Sequence, residues 1–297
     1  MINACIVGAQ KAGTSTLYNW LAQHGDIFAP QEFKDFPLFS ASKENYSEAL
    51  MRAGKIYCSK NATDHALRLS ADANLICHPN AVKRLKDYNR HARLIFLIRE
   101  PAARCFSAWR YAQERNLETR SFSEAIAQEL SGAVLPMDSY EGRQMNYVLH
   151  SRYSDQLKVI GESFPPEQVL LLPFDGMLDA PVDLMDACTD FLGIHRKTAW
   201  HFNVINRTTT RSRSELLSKM LYRKKNNAAF RLARKLMPWD MRAWVRRQLV
   251  IWNRSAADSR TTQRIDAATA RKIRQALSKE TLLYSKLLES TAKIEAL

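Results

Sequence analysis

The N-terminal segment "ACIVGAQKAGTSTLYN", Ala4 to Asn19, is the feature that most constrains the fold. It opens with a short apolar run, Ala4 to Val7, of the kind found in buried strands, and a turn with two glycines follows. A helical pattern then begins, and its apolar face is formed by Leu17, Trp20, Leu21 and His24. A strand that leads through a short turn into a helix is the basic unit of α/β proteins with parallel sheets.

Two further apolar runs have the same character: Arg93 to Ile98 ("RLIFLI") and Gln168 to Leu172 ("QVLLL"). Continuous apolar runs bounded by turn residues are typical of strands buried on both faces of a parallel sheet. Helical patterns separate the runs, among them Ala81 to Leu85 and a segment that opens at Ser121 with a Ser-x-x-Glu capping box. We therefore predict an α/β fold, a three-layer, doubly wound, mainly parallel sheet that binds its ligand at the carboxyl ends of the strands.

The chain of 297 residues is long enough for one large domain. We predict a single domain over 1–297, with an α/β core over 1–206 and a basic helical region over 207–297 packed on it. Residues 207–254 hold fourteen Lys or Arg against two acids, interleaved with three tryptophans. Three interpretations of this stretch stay open: a face for an anionic saccharide, a peripheral contact with an anionic membrane, or a solvated helix face. A last helical pattern covers Ile265 to Leu288.

Charge, cysteine content and hydropathy indicate which partners and which cellular compartment to expect for the chain. The net charge of +14 predicts an anionic ligand or partner without selecting one. The five cysteines are scattered without a C-x-x-C pair, which argues against a zinc site or a disulfide scaffold and favours a reducing compartment. No apolar run reaches the ~18 residues that span a bilayer, and the first strand begins too close to Met1 to leave room for a signal peptide. We therefore expect a cytoplasmic location, with residues 207–254 as a candidate peripheral contact at the inner membrane face.

The first turn has the glycine spacing of a nucleotide-binding P-loop but a different lysine position. Gly8 and Gly13 are separated as in G-x-x-x-x-G-K-[ST], yet Thr14 follows Gly13 and the lysine, Lys11, lies inside the turn. Backbone N–H groups at the start of a helix, together with the hydroxyl groups of residues 14–16, form an anion site. The alternative is an ordinary strand–turn–helix junction with a surface lysine.

A second candidate anion site follows the second apolar run, in "RLIFLIREPAARCFSAW". Arg99 stands at the carboxyl end of this predicted strand, Pro101 breaks the backbone, and a helix that carries Ser107 follows. A guanidinium at this place can hold a phosphate through two hydrogen bonds, and a hydroxyl two helical turns later can add a donor. The alternative is a surface arrangement of Arg99 with Glu100.

Together, "GAQKAGTSTL" and "IFLIREPAARCFSAW" resemble the 5′-phosphosulfate loop and the 3′-phosphate motif of sulfotransferases that use 3′-phosphoadenosine 5′-phosphosulfate (PAPS). Other segments, such as "KDFPLF" and "ADANLICHPNAVKRL", are similar to the carbohydrate branch, the heparan-type enzymes and their bacterial relatives. The resemblance covers Ile2 to about Ile194 and continues weakly to the end. It implies transfer of a sulfuryl group from PAPS to a hydroxyl, or in second place an amine, of a carbohydrate or glycolipid. It also implies release of adenosine 3′,5′-bisphosphate (PAP) and no need for a metal.

The resemblance further implies roles for single residues. Lys11 would neutralise the bridging oxygen between phosphate and sulfate as that bond breaks. Asp35 stands where the family has its catalytic glutamate, the general base, with Glu32 in reserve. The residues that would bind the donor are Lys11, Ala12, Gly13, Thr14, Ser15 and Thr16 at the 5′ end, Arg99 and Ser107 at the 3′-phosphate, and Arg211 and Arg213 in a basic loop that closes over the cofactor. The residues that would face the acceptor are Lys34, Asp72 and Asn74.

The sequence departs from the heparan-type pattern at one functional position. These enzymes place a second lysine near the transferred group, and the matching position falls near Ala71 and Asp72, where no lysine stands. That role stays unassigned. The histidines, among them His24 and His150, lack a catalytic context, and we interpret them as structural.

Two other functions compete with the sulfotransferase hypothesis. A P-loop kinase of small molecules is disfavoured because the Gly-Lys-Ser/Thr order is missing and no magnesium-binding aspartate is evident at a strand end. A non-catalytic nucleic-acid-binding protein would fit the positive charge. It is disfavoured because no helix-turn-helix, RNA-binding or zinc signature is present, so we expect no nucleic-acid partner.

Overall fold

The computed structural model describes residues 1–59, 64–78, 80–137, 139–203 and 264–289, and a few between them: 210–212, 214, 217, 241, 245, 248–249 and 252–256. The chain divides into two compact units. The first comprises Met1–Arg104, Val148–Asn206 and Lys272–Leu297, and the second comprises Cys105–Tyr147 and Arg207–Arg271. The two units are described in turn.

The first unit contains a five-stranded parallel sheet. Its strands are β1 (Ala4–Gly8), β2 (Ile27–Phe28), β3 (Leu67–Ala71), β4 (Arg93–Ile98) and β5 (Val169–Pro173). The spatial order is β2-β3-β1-β4-β5, so the chain first builds one side of β1 and then crosses to the other. The prediction of an α/β fold with a parallel sheet is confirmed. The strand order reverses between β1 and β4, and ligands of open α/β sheets bind at such a point.

Helices connect these strands, and two of them continue into the second unit. Within the first unit lie α1 (Thr14–Leu21), α2 (Lys43–Tyr57), α3 (Ala81–Tyr88), α7 (Tyr153–Gly161), α8 (Gly176–Asp179), α9 (Pro181–Leu192) and α11 (Ser278–Glu289). The helices that cross the boundary are α4 (Pro101–Glu114) and α10 (Ala267–Ala276). None of the helices in the described ranges is long and apolar enough to cross a membrane.

The core of the first unit lies on both faces of the central strands. Every residue of β1 is buried, and β4 is buried from its second residue onward. Each fully buried aliphatic or aromatic side chain contributes ~1.5–3 kcal/mol relative to an exposed one. Helix α1 buries Leu17, Trp20 and Leu21, three residues of the predicted apolar face. The central sheet therefore forms a rigid base, and the turns after β1 and β4 project from its carboxyl edge.

The second unit contains α5 (Phe122–Leu130), α6 (Tyr140–Met145) and a two-stranded antiparallel ribbon. The predicted capping box at the start of α5 is present: Glu124 N donates to Ser121 Oγ, and Ser121 N donates to Glu124 Oε2. The ribbon pairs β6 (Thr210–Ser212) with β7 (Arg254–Ala256). The sequence predicted a basic helical region over 207–297 with Arg211 and Arg213 in a loop, so neither strand of the ribbon was predicted. Strands of three residues are too short to show a periodicity of their own.

Candidate active site

The turn after β1 has the backbone geometry of an anion-binding loop. Its start is tied to the neighbouring strand, since Ala9 N donates to Leu97 O over 2.7 Å. Lys11 and Gly13 both have left-handed backbone conformations, with φ of 69° and 90°. Turns that contain left-handed residues bring successive N–H groups toward one point and so form concave sites for anions. The backbone of this turn therefore has two left-handed positions, as such anion sites do, while Ala12 N donates within the turn to Ala9 O over 3.1 Å.

Both glycines of the turn are required by close packing. A Cβ atom on Gly13 would lie 2.7 Å from Met177 Sδ and 3.1 Å from Phe174 Cδ2. A Cβ atom on Gly8 would lie 2.9 Å from both Ile76 Cδ1 and Phe96 Cε2. The spacing that resembles a P-loop therefore reflects two places where the backbone passes close to its neighbours.

Helix α1 begins at this turn without a side-chain cap. Gly13, the N-cap residue, has no side chain to cap the helix, and the first turn contains no acidic residue. The Gly13 carbonyl accepts from Thr16 N and Leu17 N, at 2.9 and 3.1 Å. The N–H groups of Thr14 and Ser15 have no acceptor within the helix. An anion at this end would accept these hydrogen bonds and interact favourably with the helix dipole.

Arg99 brings the second motif to the first. Its Nη1 atom donates to the carbonyl oxygen of Lys11 over 3.3 Å, and its guanidinium lies 4.4 Å from the centroid of the Phe174 ring. Its own carbonyl accepts from the Tyr153 hydroxyl over 2.8 Å. The Glu100 carboxylate, in contrast, accepts from Ala103 N and Arg274 Nε. The alternative of an Arg99–Glu100 surface arrangement is therefore wrong. Arg99 lies beside the turn between β1 and α1, residues 9–13, which we call the phosphate turn.

The surroundings of Arg99 leave it charged and oriented. Burial lowers the pKa of the guanidinium below its usual value, while Tyr153, Asp175 and Tyr284 act in the opposite direction. Arginine remains protonated at neutral pH even so, because its usual pKa is above ~12. The Tyr284 hydroxyl donates to Asp175 Oδ2 over 2.7 Å, and burial raises the pKa of Tyr284, which keeps it a neutral donor. Helix α11 thus contributes a side chain to the neighbourhood of the site.

The other predicted donor-binding residues lie in the second unit. Ser107 is half-buried on α4. The backbone of Arg211 lies in β6, where it pairs with Ser255. Arg213 lies outside the described residues. Their roles at the donor remain predictions.

Asp35, the predicted base, is hydrogen-bonded through its backbone to the carboxyl end of β3. Its N–H donates to Ala71 O, at the end of β3, over 2.8 Å, and its backbone is left-handed with φ of 59°. The Lys34 ammonium group donates to the Asp35 carboxylate, whose side chain is 54% exposed. Because β3 lies next to β1, the short aspartate arm starts close to the end of the strand that carries the phosphate turn. The side chain of Glu32, the reserve candidate, lies outside the described residues.

Asp72 and Asn74 follow β3 and have different surroundings. Both carboxylate oxygens of Asp72 accept hydrogen bonds, one from Asn74 N over 3.0 Å and one from the Ser40 hydroxyl. Asp72 N in turn donates to Ile6 O in β1. Asn74 Oδ1 is buried and accepts no hydrogen bond from the residues that the structure describes. Of the two, Asn74 is the side chain with hydrogen-bonding capacity to spare.

The position of Asp72 corrects one argument from the sequence. The kinase hypothesis was disfavoured partly because no aspartate was evident at a strand end, yet Asp72 follows β3, directly beside β1. Its two oxygens, however, already accept from Ser40 and Asn74 within the fold. Two arguments against a kinase remain: the position of the lysine within the turn, and the hydrogen bonds from Ser40 and Asn74 that already engage both oxygens of Asp72.

One cluster of possible metal ligands lies away from the turn. His24, Asp26 and His195 have ligand atoms within 4.8 Å of one another. The two ring nitrogens of His24 are already engaged, Nδ1 with Asp26 N at 3.1 Å and Nε2 with His195 O at 3.0 Å. This pattern fits the structural role expected for His24. We assign no metal to the cluster.

An apolar cavity of about 350 Å³ also lies away from the turn. It is lined by four residues of α7, by Leu283 of α11, by Phe164 and Pro166, and by Val169, the first residue of β5. Val169 stands at the amino end of its strand, the edge opposite the phosphate turn. The lining holds no charged side chain, so the cavity does not suit a phosphate.

Sequence reasoning missed several residues at the site. Phe174 and Met177 pack against Gly13, Tyr153 and Tyr284 surround Arg99, and Arg104 contacts the phosphate turn. The segment "PFDGM" begins at Pro173, the last residue of β5, and its sequence suggested no role for its residues. The signal that could have found Phe174 is its place just after a buried strand, at the carboxyl edge where ligands bind.

The chain is similar in sequence to curated sulfotransferases. It is 21% identical over 193 residues to the human bifunctional heparan sulfate N-deacetylase/N-sulfotransferase 3. This alignment covers 64% of this chain and 22% of that protein. It is 22% identical over 197 residues to bifunctional heparan sulfate N-deacetylase/N-sulfotransferase 1 of Caenorhabditis briggsae, again with 64% and 22% covered. The chain thus spans about a fifth of the length of these relatives.

Comparisons of fold and of family give the same result. The structure is similar to that of a sulfotransferase from Alicyclobacillus acidocaldarius, with a TM-score of 0.57, 24% identity, and coverage of 74% of this chain and 90% of that one. The model of the sulfotransferase domain family matches residues 2–279. The resemblance inferred from the two motifs is confirmed. The chain belongs to the sulfotransferase domain family.

Proposed function

We propose that this chain transfers a sulfuryl group from PAPS to a carbohydrate acceptor. One observation carries the proposal: the hydrogen bond from Arg99 Nη1 to Lys11 O, at 3.3 Å. It joins two anion-binding elements that lie on neighbouring strands, at the point where the strand order reverses. A donor with phosphate groups at both its 5′ and its 3′ position requires two such elements side by side.

The donor fits the two elements in one orientation. The left-handed turn and the start of α1 suit the 5′-phosphosulfate, because they offer N–H groups, hydroxyl groups and Lys11 in one short segment. Arg99 suits the 3′-phosphate, since a guanidinium binds phosphate oxygens through paired hydrogen bonds. The Arg99 guanidinium lies over the Phe174 ring, a cation–π contact that helps to hold it in place. ATP lacks the 3′-phosphate and would leave this arginine without its ligand.

The proposed reaction is an in-line displacement at sulfur. The acceptor oxygen or nitrogen forms a bond to sulfur while the bond from sulfur to the bridging oxygen breaks, and the electron pair of that bond stays on the 5′-phosphate of PAP. Lys11 would stabilise the negative charge that grows on this oxygen. Asp35 would take the proton of the acceptor. The Asp35 carboxylate accepts a hydrogen bond from Lys34, and a carboxylate placed within hydrogen-bond reach of the acceptor can act as a general base.

The acceptor class is proposed from the relatives. The curated relatives are named for N-sulfation of heparan sulfate, and they match this chain over 64% of its length. This supports a carbohydrate acceptor, whose amine or hydroxyl group is sulfated. Asn74, whose buried Oδ1 has no partner among the described residues, follows the end of β3 to which Asp35 is attached and is our candidate for an acceptor contact.

The test is a transfer assay with radiolabelled PAPS. The acceptors are N-desulfated heparan, heparan with acetylated amines, simple sugars, glycolipids and phenols. If N-desulfated heparan is labelled and the polymer with acetylated amines is not, the enzyme sulfates an amine. If both polymers are labelled, it sulfates a hydroxyl group. Label on phenols alone contradicts a carbohydrate acceptor. Thermal shift with PAP, compared with ATP and magnesium, tests the donor: stabilisation only by ATP with magnesium would refute the proposal in favour of a kinase.

A further inference from the structure

Arg104 is a fully buried arginine in α4, with none of its surface exposed. Its Nε atom donates to Ser151 Oγ over 2.5 Å, and its Nη1 atom donates to the carbonyl oxygen of Gln10 over 3.4 Å. Burial of a guanidinium costs several kcal/mol unless its donors find well-placed acceptors. The position of this side chain is therefore specified by its contacts, and one of these contacts lies in the phosphate turn.

Two successive carbonyl groups of the turn accept from arginines, one just after β4 and one in α4. Gln10 O accepts from Arg104, and Lys11 O accepts from Arg99 at 3.3 Å. An anion-binding turn needs its N–H groups directed toward the ligand, so its carbonyl groups must point elsewhere and find donors. Lys11 holds a left-handed conformation, which is unfavourable for a residue with a Cβ atom. The hydrogen bonds to the peptide groups before and after its Cα atom help to maintain that conformation.

The far end of Arg104 is fixed by a second buried group. Ser151 has no exposed surface and ends the short turn Leu149–Ser151. Two residues later, the hydroxyl of Tyr153 donates to the carbonyl of Arg99. Ser151, just before α7, therefore holds the side chain of Arg104, and Tyr153, the first residue of α7, holds the backbone of Arg99.

We infer that Arg104 is a positioning residue, which sets the conformation of the phosphate turn and through it the affinity for PAPS and PAP. This inference rests on the proposed function, since it names the nucleotide that the turn binds. Arg104 contacts backbone and a hydroxyl at the rear of the turn and acts on the nucleotide through Gln10 and Lys11. Lysine cannot replace it fully, because the planar guanidinium reaches two separate acceptors in a fixed geometry.

The experiment measures the Kd of PAP by calorimetry, with thermal unfolding in parallel. Arg104→Gln is expected to raise Kd at least tenfold, and Arg104→Lys and Ser151→Ala by smaller factors. The matched control is Arg84→Gln, since Arg84 also donates to two backbone carbonyls, Phe39 O at 3.0 Å and Ala41 O at 2.6 Å, in a different segment. It should lower the melting temperature and leave the Kd of PAP within about twofold of the wild-type value. In the transfer assay, Arg104→Gln should raise the KM for PAPS and leave the KM for the acceptor unchanged.

Each outcome supports or overturns the inference separately from the proposed function. A wild-type chain that binds no PAP refutes the proposed function. A wild-type chain that binds PAP, together with a folded Arg104→Gln variant of equal affinity, overturns the inference alone. So does an equal loss of affinity in Arg84→Gln, because general destabilisation would then explain both. Should Arg104→Gln fail to fold, Ser151→Ala decides: an unchanged Kd contradicts the inference, and a raised Kd in a stable protein supports it.

Discussion

Replacement of Gly13 by alanine tests the phosphate turn with the smallest possible change. The new methyl group would meet Met177 Sδ at 2.7 Å and Phe174 Cδ2 at 3.1 Å. Met177 is buried, so it has little space into which to move. The backbone at position 13 would also have to keep a φ of 90° with a side chain present.

These two effects set the expected magnitude. A left-handed conformation costs a non-glycine residue roughly 1–2 kcal/mol, and forcing an extra methyl group into a packed region typically costs about 1–3 kcal/mol. The free energy of unfolding should therefore fall by about 2–5 kcal/mol if both costs apply in full. If the turn relaxes instead, part of this cost is avoided, but the N–H groups no longer converge and the Kd of PAP rises.

The assay combines chemical denaturation with PAP calorimetry. Gly54→Ala is the matched control: Gly54 lies inside α2, and a Cβ atom there meets nothing within 4 Å. That variant should gain about 0.5–1 kcal/mol of stability, as is usual for glycine to alanine in a helix, with the Kd of PAP unchanged. A Gly13→Ala variant with wild-type stability and wild-type affinity would refute the reasoning about the turn.

Four other substitutions test the site and the scaffold. Arg99→Ala should raise the Kd of PAP at least tenfold in calorimetry, because the guanidinium beside the Lys11 carbonyl is our candidate for the 3′-phosphate. Lys11→Ala should bind PAP yet show no measurable sulfate transfer. Asp35→Asn should keep its affinity for PAP and lower kcat by ~10²–10⁴-fold, measured with labelled PAPS. Glu118→Gln should lower stability at pH 7 and flatten its decline in acid, measured by urea denaturation from pH 7 to pH 3. Burial alone would raise the pKa of Glu118, but hydrogen bonds from Arg120 and Tyr147 hold it below its usual value. The ionised form therefore stabilises the fold above the unfolded pKa, near ~4.3, and this contribution is lost as the pH falls through the lower native pKa.

The same measurements can contradict each expectation. Unchanged PAP affinity in Arg99→Ala would remove Arg99 from the donor site. Full turnover in Lys11→Ala or Asp35→Asn would disprove the role assigned to that residue. An acid profile of Glu118→Gln parallel to that of the wild type would show that this carboxylate does not govern the loss of stability in acid.

The sequence alone determined the parts of the fold that have a strong local pattern. β1, β4 and β5 were predicted because strands buried on both faces are continuous apolar runs. Helix α1 was predicted from its apolar face, and the turn before it from its glycines. The capping box at Ser121 is present for the same reason, since its hydrogen bonds join residues only three positions apart. The family followed from two motifs whose residues are contiguous in sequence.

Only the tertiary structure decided which distant residues meet. The contact between Arg99 and Lys11 joins positions 88 apart, and that between Arg104 and Gln10 joins positions 94 apart. Such pairs leave no periodicity in the sequence, because they depend on the order in which the strands assemble. The attachment of Asp35 to the end of β3 arises in the same way. β2, with two residues, and the ribbon of β6 and β7 are stable only through pairing with a neighbour, so their own residues could not predict them.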